Sequence, residues 1–219
     1  VNNFLSASGE NIMIGGADPI ISSLVPSYIE IRKNYFFKPL KWRDNPNYTT
    51  GTYKIKSKNL LEIKGAERVL IDSNVFENSW PSGQVGYALL FTPRQNHYPF
   101  KFVLGAPVPD TSCPSEGCAP NLLIQDVTIT NNRIINTNHG IGISGRDFYS
   151  TTANAGFGTY QTQPGGRYLI KNNIITGLGT GGISGSGFAF AFTINSGAFD
   201  VTIDHNTIAN YSALTVEGK

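Results

Sequence analysis

Five segments of this 219-residue chain can be laid under one another: YIEIRKNYFF (28–37), RVLIDSNVFE (68–77), DVTITNNRII (126–135), RYLIKNNIIT (167–176) and DVTIDHNTIA (200–209). Each runs from an apolar residue to an Ile two places on, then an Asn three later, then another apolar residue two beyond it. The aligned asparagines are Asn34, Asn74, Asn132, Asn173 and Asn206, with separations of 40, 58, 41 and 33 residues. A constant unit joined by variable connections is the mark of a stacked repeat. A second unit precedes most copies: NIMIGG (11–16), LLEIKG (60–65), GIGISG (140–145) and FAFTINSG (190–197), with YALLF (87–91) a looser member and ALTVEG (213–218) beginning a sixth. These read as period-2 strands ended by a turning Gly.

One coil is therefore a first strand, a tight turn, a second strand, an Asn bend and a short third strand. Stacked in register, such coils give an all-β, right-handed parallel β-helix solenoid of about five coils plus the start of a sixth, with long loop insertions. The repeats resemble those of the pectin-lyase-like superfamily of parallel β-helices. More closely, IEIRKNYFFKPLKW, RVLIDSNVFENSW, LLFTPRQN and VTIDHNTI resemble a group of bacterial secreted β-helix proteins without an established reaction. The whole span 1–219 is expected to form a single β-helix domain. Because repeat character runs to the C-terminus and neither end has an evident cap, it is read as part of a longer β-helix.

The register gives each column a task. Ile29, Val69, Val127, Tyr168 and Val201, with Ile31, Ile71, Ile129, Ile170 and Ile203, should point inward, while Phe36, Phe76, Ile134, Ile175 and Ile208 line a third wall. The five Asn should bond one another at the bend. Arg32, Asp72, Thr130, Lys171 and Asp204 form an outward row, followed by the equally variable Lys33, Ser73, Asn131, Asn172 and His205. Asp204 and His205 thus belong to the repeat, although VTIDHNTI is similar to the Trp-Ile-Asp-His segment of pectate lyases, with Thr202 in the Trp place. Asp72 and Asp204, in one column, would lie roughly 14 Å apart at the strand spacing, too far to share an ion.

A filled solenoid binds ligands on a wall framed by loops. Insertions 15–27, 92–125 and 145–166 leave one corner and 38–58 leaves the opposite one. The first-strand wall lies between, with Met13, Glu62, Lys64, Leu89, Phe91, Gly142, Ser144, Thr193 and Asn195 expected outward. On that wall, Glu62, Arg94, His139, Arg146 and Asp147 are the candidate catalytic residues. Lys64, Phe91, Tyr98, Tyr149 and Asn195 are the candidate substrate-binding residues, Arg and Lys for a uronate carboxylate and aromatic rings for a sugar face. NHGIGISG (138–145) is similar to the His-Gly segment of polygalacturonases, but hydrolysis needs paired carboxylates, and only Glu62 is offered nearby. His97 begins the same insertion cluster as Arg94.

From Glu30 to Arg68 ten Lys/Arg oppose four Asp/Glu within a chain of net charge +2, a local excess suited either to an anionic polymer or to a solvated loop. Nothing points to nucleic acid. No apolar run is long enough to cross a bilayer, and no metal-ligand constellation or cofactor motif stands out. Cys113 and Cys118 in CPSEGC favour a small disulfide ring over a zinc site, which would need two further ligands. A disulfide favours a secreted or cell-surface location. The only Met is Met13, so the sequence from Val1 is either processed or a fragment. Two functions follow as expectations: a carbohydrate-active or carbohydrate-binding protein, such as a polysaccharide lyase or hydrolase on an acidic glycan, or a non-catalytic structural or adhesive β-helix.

Overall fold

The computed structural model describes residues 1–19, 21, 24–50, 55–94, 100–103, 106–109, 121–146, 162–180, 188–211 and 214–218. Three parallel sheets stack the repeat units into a β-solenoid. The first-strand sheet contains, in spatial order, Ile12–Ile14, Leu61–Ile63, Tyr87–Phe91, His139–Ser144, Ala189–Asn195 and Leu214–Gly218. The second-strand sheet contains Ser27–Arg32, Ala66–Asp72, Ile124–Thr130, Gly166–Lys171 and Phe199–Asp204. The third contains Phe4–Ser6, Tyr35–Phe37, Val75–Ser79, Arg133–Thr137, Ile174–Thr176 and Thr207–Ala209. Phe4–Ser6 is a third strand that the repeat alignment missed, because the Asn3-Phe4-Leu5 unit stands without its second strand.

Register follows the repeats: Ile31, Ile71, Ile129 and Ile170 are consecutive partners, and all four are buried. Phe36 and Phe76 stack with ring centroids 4.5 Å apart, and Tyr168 meets Phe91 edge-on at 5.6 Å. Tyr168 occupies a column otherwise held by Ile or Val, and its buried hydroxyl has no hydrogen-bond partner.

Two positions on the first-strand wall correct the sequence reading. Leu89 and Phe91 are fully buried, paired with the inward Leu61 and Ile63, whereas Leu90 pairs with Glu62 and takes the outward place. YALLF is apolar throughout, so its pattern cannot distinguish the two faces. Phe91 is therefore a core residue and not a sugar-binding one.

The asparagines form a continuous ladder. Nδ2 of Asn3, Asn34, Asn74, Asn132 and Asn173 each donates to Oδ1 of the next Asn at 2.9–3.0 Å, ending at Asn206. Each donor's own backbone N–H bonds the same oxygen at 2.9–3.1 Å. From Asn74 onward Nδ2 also donates to the carbonyl of an inward Ile on the previous coil: Ile31, Ile71, Ile129 and Ile170. Polar groups in a corner closed to water are thereby satisfied. The residue before each Asn is left-handed: Asn2, Lys33, Ser73, Asn131, Asn172 and His205 all have φ between 51° and 60°. His205 is one of these bend residues, and its ring contacts the neighbouring Asp204.

The described parts of the three insertions on the first corner meet one another. Asn121 donates to Asp18 and to the Pro19 carbonyl, Gln163 N–H donates to the Leu122 carbonyl, and Val25, Leu122 and Leu123 form a small separate core. The opposite insertion folds into two short helices, Lys41–Asp44 and Pro46–Thr49.

Candidate functional site at the first-strand wall

Glu62 alternates outward from a strand whose neighbours Leu61 and Ile63 face the core. Its row runs Met13, Glu62, Leu90, Gly142 and Thr193. Although it faces outward, Glu62 is only 3% exposed, because polar side chains close around it. Asn59 Nδ2 donates to Glu62 Oε2 at 3.2 Å and to Gln84 Oε1 at 2.5 Å, while Asn59 Oδ1 accepts the Tyr87 N–H at 2.9 Å. Lys64 Nζ stands 3.7 Å from Glu62 Oε1. These groups line an open cavity of about 360 Å³ together with Lys58, Leu90 and Arg94.

A second carboxyl joins Glu62. Glu10, just ahead of the strand Ile12–Ile14, hydrogen-bonds the Glu62 carboxyl and forms an ion pair with Lys58 at 3.1 Å. Its segment is held by Lys38, whose fully buried ammonium donates to the carbonyls of Ala7 at 2.8 Å, Ser8 at 3.0 Å and Gly9. Burial pushes Lys38 down to about 8, with the nearby Glu10 charge opposing that shift. Burial likewise pushes the Glu62 carboxyl above its ordinary value, against the pull of Lys64, and the adjacent Glu10 adds to the rise. Glu10 moves the other way: despite some burial, its own backbone N–H, Lys58 and Glu62 hold it below the usual range. The two carboxyls are thus shifted apart, Glu62 toward its neutral form and Glu10 toward its charged one.

A second carboxyl that the sequence reading did not find thus stands in contact with Glu62, without the spacing of a hydrolytic pair. Glu10 escaped notice because it precedes the first strand and lies outside the repeat register. Asn59 and Gln84 were missed for a similar reason, since turn residues carry no periodic signal, and Tyr87 joins the site through its backbone N–H, which no side-chain pattern reports.

Of the sequence candidates, Glu62, Lys64 and Arg94 converge on this cavity. His139 does not line it. Its ring is stacked between Tyr87 and Phe190, with centroids 4.8 and 4.9 Å away, and its Nδ1 accepts the Phe190 N–H at 3.0 Å. Burial pushes it down to about 4, so the neutral ring acts as an acceptor at neutral pH. Asn195 accepts a hydrogen bond from Ser144 Oγ at 2.8 Å, and Arg146 follows the end of the same strand, His139–Ser144; neither lines the cavity. Asp147, Tyr98, Tyr149, His97, Cys113 and Cys118 lie outside the described residues.

Much of the basic excess is already committed. Lys38 is inward, Arg43 pairs with Asp44, Arg68 with Glu67, and Arg32 with Glu30 and Asp72. Among the described residues, no cluster of three or more His, Cys, Asp or Glu side chains has the form of a metal site, and no helix is long and apolar enough to cross a membrane. No family model, curated protein or solved structure matches the chain.

Proposed function

We propose that this chain is an extracytoplasmic, carbohydrate-binding parallel β-helix of the right-handed, pectin-lyase-like kind, and that it seats an acidic sugar residue of a polysaccharide in the Glu62 cavity. The observation that carries this reading is the charge balance of the cavity wall. Lys58, Lys64 and Arg94 line it together with one carboxyl, Glu62, whose burial works against its charged form. A uronate carboxylate entering the cavity meets these three cations, sharing Lys58 with Glu10 and Lys64 with Glu62.

The same geometry bears on reaction type. Hydrolysis by two carboxyls requires them about 5–9.5 Å apart, with a sugar ring and often a water between them. Glu10 and Glu62 touch, which leaves no such space. Elimination from a uronate asks instead for a cation on the carboxylate and a base that takes the C5 proton while the C4–O bond breaks and the C4=C5 double bond forms, and only the deprotonated form of Glu62 can be that base. Binding, with elimination as the accessible chemistry, therefore fits the site better than hydrolysis. The second reading, a non-catalytic structural or adhesive β-helix, is favoured by the hydrogen bonds with Asn59 and Glu10 that tie Glu62 in place.

Calorimetric titration with uronate oligomers and their neutral counterparts tests the binding claim. Uronates should bind, and Lys64→Ala or Arg94→Ala should each weaken binding about tenfold or more, the loss expected for a charge-assisted contact. Equal affinity for charged and neutral sugars would refute it. Ultraviolet absorbance of unsaturated product, followed alongside reducing ends, separates elimination from hydrolysis, and the absence of both leaves binding alone.

A further inference from the structure

A second cavity, about 260 Å³, lies at the base of the 38–58 insertion, lined by Trp42, Arg43, Ile55, Lys56, Trp80 and Pro81 among others. The chain contains two tryptophans, and both are here, although they are distant in sequence. Trp80 ends a third-strand segment and is 5% exposed, whereas Trp42 sits in the helix Lys41–Asp44 and is half-buried. The fold brings them together because the insertion returns beside the next coil. Gly83 N–H donates to the Ser57 carbonyl at 2.7 Å, and a Cβ on Gly83 would come within 3.1 Å of that oxygen, so a larger residue would crowd the contact between the two segments.

That pairing makes a narrow ridge between two sites. Lys56 lines the tryptophan cavity and Lys58 the Glu62 cavity; Pro81 and Ser82 line the first, Gln84 and Val85 the second. Two residues of extended chain span roughly 7 Å, so the cavities are neighbours along one track. We propose that the Trp42/Trp80 cavity is a second saccharide subsite, which takes another residue of the acidic polymer that occupies the Glu62 cavity. The half-buried Trp42 indole offers the flat apolar face against which the C–H side of a sugar ring packs. Lys56, and Arg43 from within its pairing with Asp44, supply positive charge at the rim for its carboxylate. The volume falls below the ~300–1,000 Å³ typical of sites that enclose a whole drug-sized ligand, which suits a single ring of a longer chain. This subsite rests on the reading of the Glu62 cavity as an acidic-sugar site.

Tryptophan emission is a direct probe, since both indoles are at the subsite. Mono- through hexagalacturonate and the matching mannuronate series are titrated into the intact protein, with emission and calorimetric heat recorded together. The shortest ligands should bind without changing emission, and longer ones should gain roughly tenfold in affinity as emission is quenched. Trp42→Ala should remove that gain but leave binding of the shortest uronate unchanged, Trp42→Tyr should restore most of it, and Lys56→Gln should reduce it. Should Trp42→Ala fail to fold, the tyrosine and glutamine variants still decide. Affinity that does not depend on length, with emission unchanged, overturns the subsite while the Glu62 reading stands. Equal quenching by neutral oligomers refutes the role of Arg43 and Lys56. Failure of every uronate to bind, with Lys64→Ala equally inert, removes both.

Discussion

Replacing Asn132 by Ala opens the middle of the asparagine ladder, and the cost can be counted bond by bond. Asn132 is fully buried, and its Oδ1 accepts both the backbone N–H and the Nδ2–H of Asn74, itself 1% exposed. Alanine leaves those two donors without a partner in a corner that water cannot enter. Each orphaned buried donor costs about 1–3 kcal/mol, giving about 4 kcal/mol for the pair. The carbonyl of Ile71 loses one bond as well, whereas Asn173 Oδ1 keeps the backbone N–H of residue 132. Asn3→Ala is the control, because at that end the side chain only donates and Asn34 Oδ1 retains the Asn3 backbone N–H; its cost should stay below about 1 kcal/mol. Urea unfolding followed by circular dichroism reads the difference. With a slope near ~2 kcal/mol/M, Asn132→Ala should lower the midpoint by roughly 2 M and Asn3→Ala by under ~0.5 M. Equal shifts for the two variants would mean that the ladder does not stabilise by satisfying buried donors. A changed slope for Asn132→Ala would report that the solenoid separates into parts at the gap.

Three further expectations follow from buried titratable groups. His139, held down to about 4 against an ordinary 6.5, stays neutral in the fold, so stability should fall as pH drops through 6.5 and level off near 4. The loss should reach about 3 kcal/mol, and it should be absent from the pH profile of His139→Phe. Glu62 behaves oppositely: its folded value is raised, so stability should decline as pH climbs from 4.5 through that raised value, and a profile of Glu62→Gln that still shows the decline would assign it elsewhere. Tyr168→Phe removes a buried hydroxyl that has no partner and should raise stability by about 1 kcal/mol in thermal melts; a loss of similar size would show that the hydroxyl is bonded.

The architecture was legible because the inward Ile and the corner Asn repeat at fixed offsets, and a misplaced copy would leave an amide unpaired. Where that signal fades, so does the reading. In YALLF every residue suits the core, and only the observed pairing with Leu61–Ile63 decides that Leu90 faces out. Arg32, Lys38 and Arg43 looked like one basic patch, but whether a cation is spent on a neighbour depends on contacts across coils, and Lys38 reaches back about 30 residues to bind three carbonyls. Glu10 is the clearest case. Its partners Lys58 and Glu62 belong to the next coil, so the carboxyl pair exists only after stacking.

The asparagine ladder also has a direction. Every side-chain amide donates toward the C-terminal end and accepts from the N-terminal side, so the carboxamide dipoles run head to tail through the wall of the solenoid, as peptide dipoles do in a helix. The column is therefore polar: it presents an amide oxygen beyond Asn3 and the backbone N–H at Asn206, whose Nδ2 is bonded to the Ile170 and Asp204 carbonyls. A coil or partner stacking on the Asn206 face is matched if it brings an acceptor, and one stacking on the Asn3 face if it brings a donor. Assembly along this axis is vectorial, and two copies meeting at like faces would set donor against donor or oxygen against oxygen.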